Sequence, residues 1–155
     1  MSRRSTSNKQ KTILFPMYKD KLVNLFVHRI LKKGKKSLAY RIVYQALQLT
    51  EKRTHHNPIL ILTQAVKVGS PTVAVKAKRK GGSTYQIPIE LTKIQGADLA
   101  IRWILDSSRK RTGTSMAWQL SSEWIDAARE TGQTLRKREE THRMAEANRA
   151  FSHYR

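Results

Sequence analysis

Residues 71–90, PTVAVKAKRKGGSTYQIPIE, alternate with period two inside a chain otherwise patterned for helices. Side chains of a strand point alternately to its two faces. Val73, Val75 and Ala77 therefore fall on one face, and Lys76, Lys78 and Lys80 on the other. Gly81-Gly82 supplies the positive φ angles of a two-residue hairpin turn. Tyr85, Ile87 and Ile89 resume the alternation, and Pro88 leaves its strand with a free edge. The expectation is a two-stranded ribbon over residues 72–90. A lone hairpin is marginal in water, so its apolar face must lean on helices, leaving the lysine row and the Gly-Gly tip to project.

The rest of the chain has helical spacing. Leu22, Leu25, Phe26 and Ile30 make a first stripe, widened by Val23, Val27 and Leu31. Gly34 stands where a left-handed C-terminal cap would close that helix. Ser37 is the expected N-cap of a second helix with the stripe Leu38, Ile42, Val43, Ala46 and Leu49. The linker KKGKKS is short, so the two helices are antiparallel. It crowds Lys32, Lys33, Lys35 and Lys36 at one corner. Asn57 followed by Pro58 is a helix-start pair for Ile59, Leu62, Ala65 and Val66. After the ribbon, Ile94, Ala97, Ile101, Ile104 and Leu105 form a fourth stripe. Met116, Leu120, Trp124 and Ala127 form a fifth. From Gln133 a sixth pattern is highly charged, and so polar a helix is expected to need an outside surface to dock on. The expected fold is mainly α: a bundle of about six helices with one inserted ribbon, in a single domain over residues 17–155 behind a basic arm at 1–16.

Charge limits the function. The 155 residues carry 31 Lys and Arg against 11 Asp and Glu, a formal net charge of +20. Residues 1–36 hold eleven basic residues and one acid, Asp20, so half the surplus sits in under a quarter of the chain. Self-repulsion of that size is relieved by a polyanion. With no cysteine, thiolate metal sites and disulfides are excluded. No apolar run reaches the roughly 18 residues of a membrane span. The N-terminus lacks the apolar centre of a secretory signal and reads as a basic arm rather than a transit peptide.

Nothing in the chain reads as catalytic. His28, His55, His56, His142 and His153 lack ligand spacing, so no metal is expected. Glu139, Glu140 and His142 lie on a charged helical face with no pocket implied. Phosphate-cradling glycine loops and nucleophile motifs are absent, so neither an enzyme nor a cofactor or small-molecule substrate is expected. Trp103 and Trp124 sit on or beside apolar stripes and read as core. Trp118 is open between core and base-stacking roles. The ribbon lysines suit a solubilised edge, but beside Arg79 and the glycine tip they read as nucleic-acid contacts. A helical DNA-binding regulator is the alternative function. Basic residues spread over an arm, a corner, a ribbon, a loop and the last helix suit folded RNA better than one duplex groove.

The runs LVNLFVHRILKKGKKSLAYRIVYQA, VKAKRKGGSTYQIPIE, AIRW, SRKR and REETHRMAEANRAFSHYR closely resemble bacterial-type small-subunit ribosomal protein number seven. The resemblance runs from about Tyr18 to Arg155. IQGADLAIRW and the closing HYR resemble the chloroplast form, made inside the organelle. This implies the plastid stroma, with bacterial cytoplasm as the alternative. The family implies a helical bundle with a ribbon arm that binds the 3′ major domain of small-subunit ribosomal RNA and helps nucleate head assembly. It also implies a place beside the exit-site tRNA and the messenger, and beside small-subunit ribosomal proteins nine and eleven.

Carried onto this chain, the resemblance assigns ribosomal RNA contacts to Arg3, Arg4, Lys9, Lys33, Lys35 and Lys36. It assigns the same role to Lys76, Lys78, Arg79, Arg102, Arg109, Lys110, Arg111 and Arg143. The exit-tRNA and messenger region is given to Lys80, Gly81, Gly82, Tyr85, Arg149 and Tyr154. Four features depart from the family pattern: Phe15-Pro16, the charge at Lys80, Trp118 with Trp124, and Gly69-Ser70, which is expected to loosen the ribbon's base.

Overall fold

The computed structural model describes residues 20–154, and the chain runs through six helices interrupted by one hairpin. The elements are α1 (Lys21–Ile30), α2 (Lys36–Thr54), α3 (Pro58–Gly69), β1 (Val73–Lys80), β2 (Ser83–Glu90), α4 (Lys93–Lys110), α5 (Met116–Ala128) and α6 (Gln133–Ala147). A 3-10 turn, Arg149–Tyr154, follows. The expected mainly α bundle with one inserted ribbon is the observed fold.

Local chemistry explains most helix starts. The first N–H groups of a helix lack partners inside it, and a short polar side chain just before them accepts one. The Asp20 carboxylate accepts from the Leu22 N–H at 2.8 Å. The Asn57 amide oxygen accepts from Ile59 at 3.0 Å, with Pro58 opening α3. Thr92 and Gln95 cap α4 reciprocally. The Ser115 hydroxyl accepts from Trp118 at 3.3 Å. α2 differs from expectation: it starts at Lys36, with Lys35 rather than Ser37 at the cap. The cause is the turn before it. Lys33 and Gly34 both hold positive φ, 51° and 73°. The Lys35 carbonyl then accepts the first helical bond, from Ala39 at 3.2 Å. Gly34 therefore shapes this turn instead of closing α1, which ends at Ile30.

α5 lies at the centre, against α2, α3 and α4. Its Trp124 is fully buried and meets Phe26 of α1 edge-on, with ring centroids 5.4 Å apart. Losing either ring would cost about 3–5 kcal/mol. Small residues let the helices approach closely: the buried Thr50 hydroxyl of α2 bonds the Ser121 hydroxyl of α5 at 3.0 Å. The core holds Trp124 as expected, while Trp103 is half-buried and Trp118 is exposed.

Three stripe positions are corrected. The buried face of α1 is Val23, Phe26, Val27 and Ile30, and Leu25 points out at 44% exposure. Leu38 and Ile94 are 47% and 84% exposed. Both stand in a first helical turn. At Gly96 the chain of Pro71 comes so close that a Cβ would lie 2.8 Å from the Pro71 carbonyl oxygen. That contact begins the packed part of α4 and leaves Ile94 outside it.

α6 corrects the expectation of an outside docking surface, because it packs on the chain's own elements. It touches β1, β2, α3, α4 and α5. Gly132 gives it no side-chain cap. The Glu123 carboxylate of α5 does this from a distance in sequence, accepting from the Thr134 N–H at 3.3 Å and the Thr134 hydroxyl at 2.6 Å.

Candidate nucleic-acid interface

The ribbon's register corrects the expected division of its faces. Lys80 pairs with Ser83, Lys78 with Tyr85, Lys76 with Ile87 and Ala74 with Ile89. Directly paired residues of antiparallel strands share a face. A two-residue turn pairs even positions of β1 with odd positions of β2. The lysines therefore share the face of Tyr85, Ile87 and Ile89, not the opposite one. Val73, Val75, Ala77 and Arg79 share the other face with Glu90, Pro88, Gln86 and Thr84. Ile87 is only 3% exposed. The Tyr85 ring lies 5.5 Å from the Phe151 ring of the terminal 3-10 turn. The ribbon docks by the apolar members of β2 on this face, while Lys76 and Lys78 of β1 stay exposed beside them.

Its tip and base are built differently. Gly81 and Gly82 hold φ of 58° and 88°, with open space where Cβ atoms would stand. These are the angles of the turn that matches strand twist. The base is held by side chains. The Thr72 N–H donates to His142 Nε2 at 3.2 Å. The Arg138 guanidinium donates to the Val68 carbonyl at 2.6 Å. Gly69 lets α3 pass close to its neighbours: a Cβ there would lie 3.3 Å from Thr134 Cγ2 and 3.5 Å from Ala100 Cβ. The loosening expected of Gly69-Ser70 is therefore corrected: the missing side chain at Gly69 permits close packing at the ribbon's base.

The lysine corner is as crowded as its sequence implies. Lys32, Lys33, Lys35 and Lys36 are all exposed. Lys36 Nζ lies 5.9 Å from the centre of the Tyr40 ring. Arg109 of α4 lies across a shared groove from Lys32, Lys33 and Lys35. Arg102 is exposed and lies 3.6 Å from Asp98, which also pairs with Arg29. Exposed pairs of this kind contribute roughly 0–1 kcal/mol, so phosphates can displace them.

The run Arg109, Lys110, Arg111 is divided three ways. Arg109 faces the lysine corner, with a 3.8 Å pair to Asp106. Lys110 lines a shallow cleft with Trp118 and Arg136. Arg111 turns inward: its Nε donates to the wholly buried Glu123 at 2.6 Å, and its Nη2 to Asp126. Burial disfavours the Arg111 charge, but hydrogen bonds and attraction from Glu123 and Asp126 outweigh it, so its pKa is raised. Its cation is matched by these two carboxylates, while the side chain stays 24% exposed and lines the same cleft as Lys110. Arg109 and Lys110 close the last turn of α4, where successive residues point about 100° apart, and Arg111 departs from them because the chain leaves the helix there, at φ -69° and ψ 140°.

Arg143 and Arg149 are exposed, and Arg149 stands in the cleft at the ribbon's base with His142. Arg3, Arg4, Lys9 and the Lys80 and Tyr154 side chains lie outside what is described. Lys32 and Arg136 were missing from the sequence-derived set. Lys32 was legible from its place in KKGKKS. Arg136 carried no signal, because only folding brings it beside Lys110. Arg53 was also missed; its guanidinium lies 5.8 Å from the Trp118 ring centre.

Among the described residues, no helix is long and apolar enough to cross a membrane, and no cluster of His, Asp and Glu is suited to a metal ion. The family model described as ribosomal protein S7p/S5e matches residues 2–149.

Proposed function

Because the chain belongs to the ribosomal protein S7p/S5e family, we propose that it binds the 3′ major domain of small-subunit ribosomal RNA and helps nucleate assembly of the subunit's head. At the coarser level, membership makes it a non-enzymatic structural protein of the small subunit that binds ribosomal RNA. The proposal extends to position. The ribbon tip at Gly81-Gly82 faces the exit-site tRNA and messenger, and small-subunit ribosomal proteins nine and eleven are neighbours. The cell compartment proposed is the plastid stroma, on the likeness of IQGADLAIRW and the closing HYR to the chloroplast form.

One observation carries the RNA reading for this chain. Exposed cations stand on separate elements, namely the α1–α2 corner, α4, the ribbon and α6, in a protein of net charge +20. A folded RNA supplies phosphates to several such sites at once. If about six phosphates are engaged, affinity for a 3′ major domain transcript falls roughly 10³-fold between 50 and 200 mM salt. A filter-binding titration checks this, and a flat salt response removes the reading. Duplex DNA outcompeting the transcript at equal mass would favour a DNA-binding regulator instead.

The ribbon has its own test. Lys78→Ala with Arg79→Ala changes exposed positions near the tip, so the helical circular-dichroism signal should persist. Reading-frame maintenance in a reconstituted translation assay should worsen. Unchanged frame maintenance would remove the ribbon from the exit region.

A further inference from the structure

We propose that the groove between the α1–α2 corner and the α4–α5 junction takes one unstacked nucleotide of the bound RNA, with its base on the floor and its phosphates on the rim. This rests on the RNA-binding reading above and adds a ligand class and a pocket to it. The floor is apolar: Ile30, Leu38, Ile42 and Met116. The rim is cationic: Lys32, Lys33, Lys35 and Arg109. The groove's volume is about 380 Å³, within the range of small-ligand sites, about 300–1,000 Å³.

Two features argue for a base together with its phosphates. Phosphate alone needs only the rim, yet the first turn of α2 holds Leu38 out at 47% exposure over an apolar floor. A stacked duplex would meet the rim with its backbone and leave that floor wet. An unstacked nucleotide offers a flat apolar face and an anion within one unit, and so covers both. The rim also has the sign this ligand requires. Among the described residues no acidic side chain lines the groove, so a basic peptide is repelled. Lys33 keeps a φ of 51°, a conformation that a residue with a Cβ rarely holds and that clusters at binding sites. Among the described residues, Arg109 pairs with Asp106 at 3.8 Å on the surface, an interaction that phosphate can replace.

The test uses the full chain and two probes: an oligouridylate of about eight nucleotides and an abasic RNA backbone of the same length. Anisotropy titrations are run at one salt concentration. The abasic strand should bind about tenfold more weakly than the oligouridylate. Leu38→Gln should shrink that gap to about twofold while leaving the abasic affinity unchanged. Met116→Gln, across the groove, should act in the same way. Leu60→Gln, at another exposed apolar position, should leave the gap intact.

Equal affinities for the two strands would overturn the pocket while leaving RNA binding standing. A gap that survives both groove variants would do the same. Poly-glutamate of matched charge losing affinity on Leu38→Gln would assign the groove to an acidic peptide and overturn the proposal. Failure of both strands to bind while the 3′ major domain transcript still binds would overturn the pocket alone, and failure of the transcript as well would remove the RNA-binding reading itself.

Discussion

The corner at Lys32–Lys36 and the junction around Arg111 use the same chemistry to opposite ends. At the corner, four lysines lie exposed side by side. At the junction, one arginine meets the buried Glu123 and the partly exposed Asp126, and Glu123 also holds the first turn of α6 through Thr134. A cation crowded among like charges on the surface is poised for an external anion. A cation matched by two carboxylates of the protein stabilises the arrangement of helices and gains less from an external anion. Counting Lys and Arg therefore overstates the RNA surface, and the three-way division of Arg109, Lys110 and Arg111 shows by how little sequence distance the two uses are separated.

The largest effect that would break this comparison is expected at Glu123. Glu123→Ala leaves Arg111 facing an unfilled site and removes the remote cap of α6. Breaking a buried pair this way costs about 3–5 kcal/mol, measurable as a lower urea midpoint. A loss below about 1 kcal/mol would mean that the junction is not a structural lock. Thr134→Val comes next. It removes the 2.6 Å bond from the hydroxyl to the carboxylate and keeps the side chain's shape, so a loss of about 1.5–3 kcal/mol is expected. The smallest effect belongs to the corner. Lys32→Ala, Lys33→Ala and Lys35→Ala should each change stability by no more than about 0.5 kcal/mol. Each should instead lower the slope of log affinity against log salt for ribosomal RNA by about 0.7–0.9. A destabilised corner variant with an unchanged salt slope would reverse the roles of the two regions.

His142 shows why part of the interface was hidden in the sequence. Read alone, it is one more residue on a charged helix. In the structure its Nε2 accepts from the Thr72 N–H and ties the ribbon's base to α6, a pairing 70 residues apart that no spacing rule encodes. Tyr85 and Phe151 meet in the same way. The faces of the ribbon were missed for a different reason. Each strand's alternation was legible, but the two-residue turn changes which parity shares a face, and that step places Lys76 beside Ile87.

The sequence by itself determined the elements: Asn57-Pro58 starts a helix, Gly81-Gly82 turns a hairpin, and the apolar stripes make a bundle. These are short-range effects of capping, φ preference and periodicity, complete within a few residues. Tertiary structure decided which cations remain outside, which face of the ribbon is covered and what caps α6. Those outcomes depend on groups such as Arg111, Glu123 and Thr134 meeting across the chain. Desolvation and charge pairing are settled only where such groups are brought together.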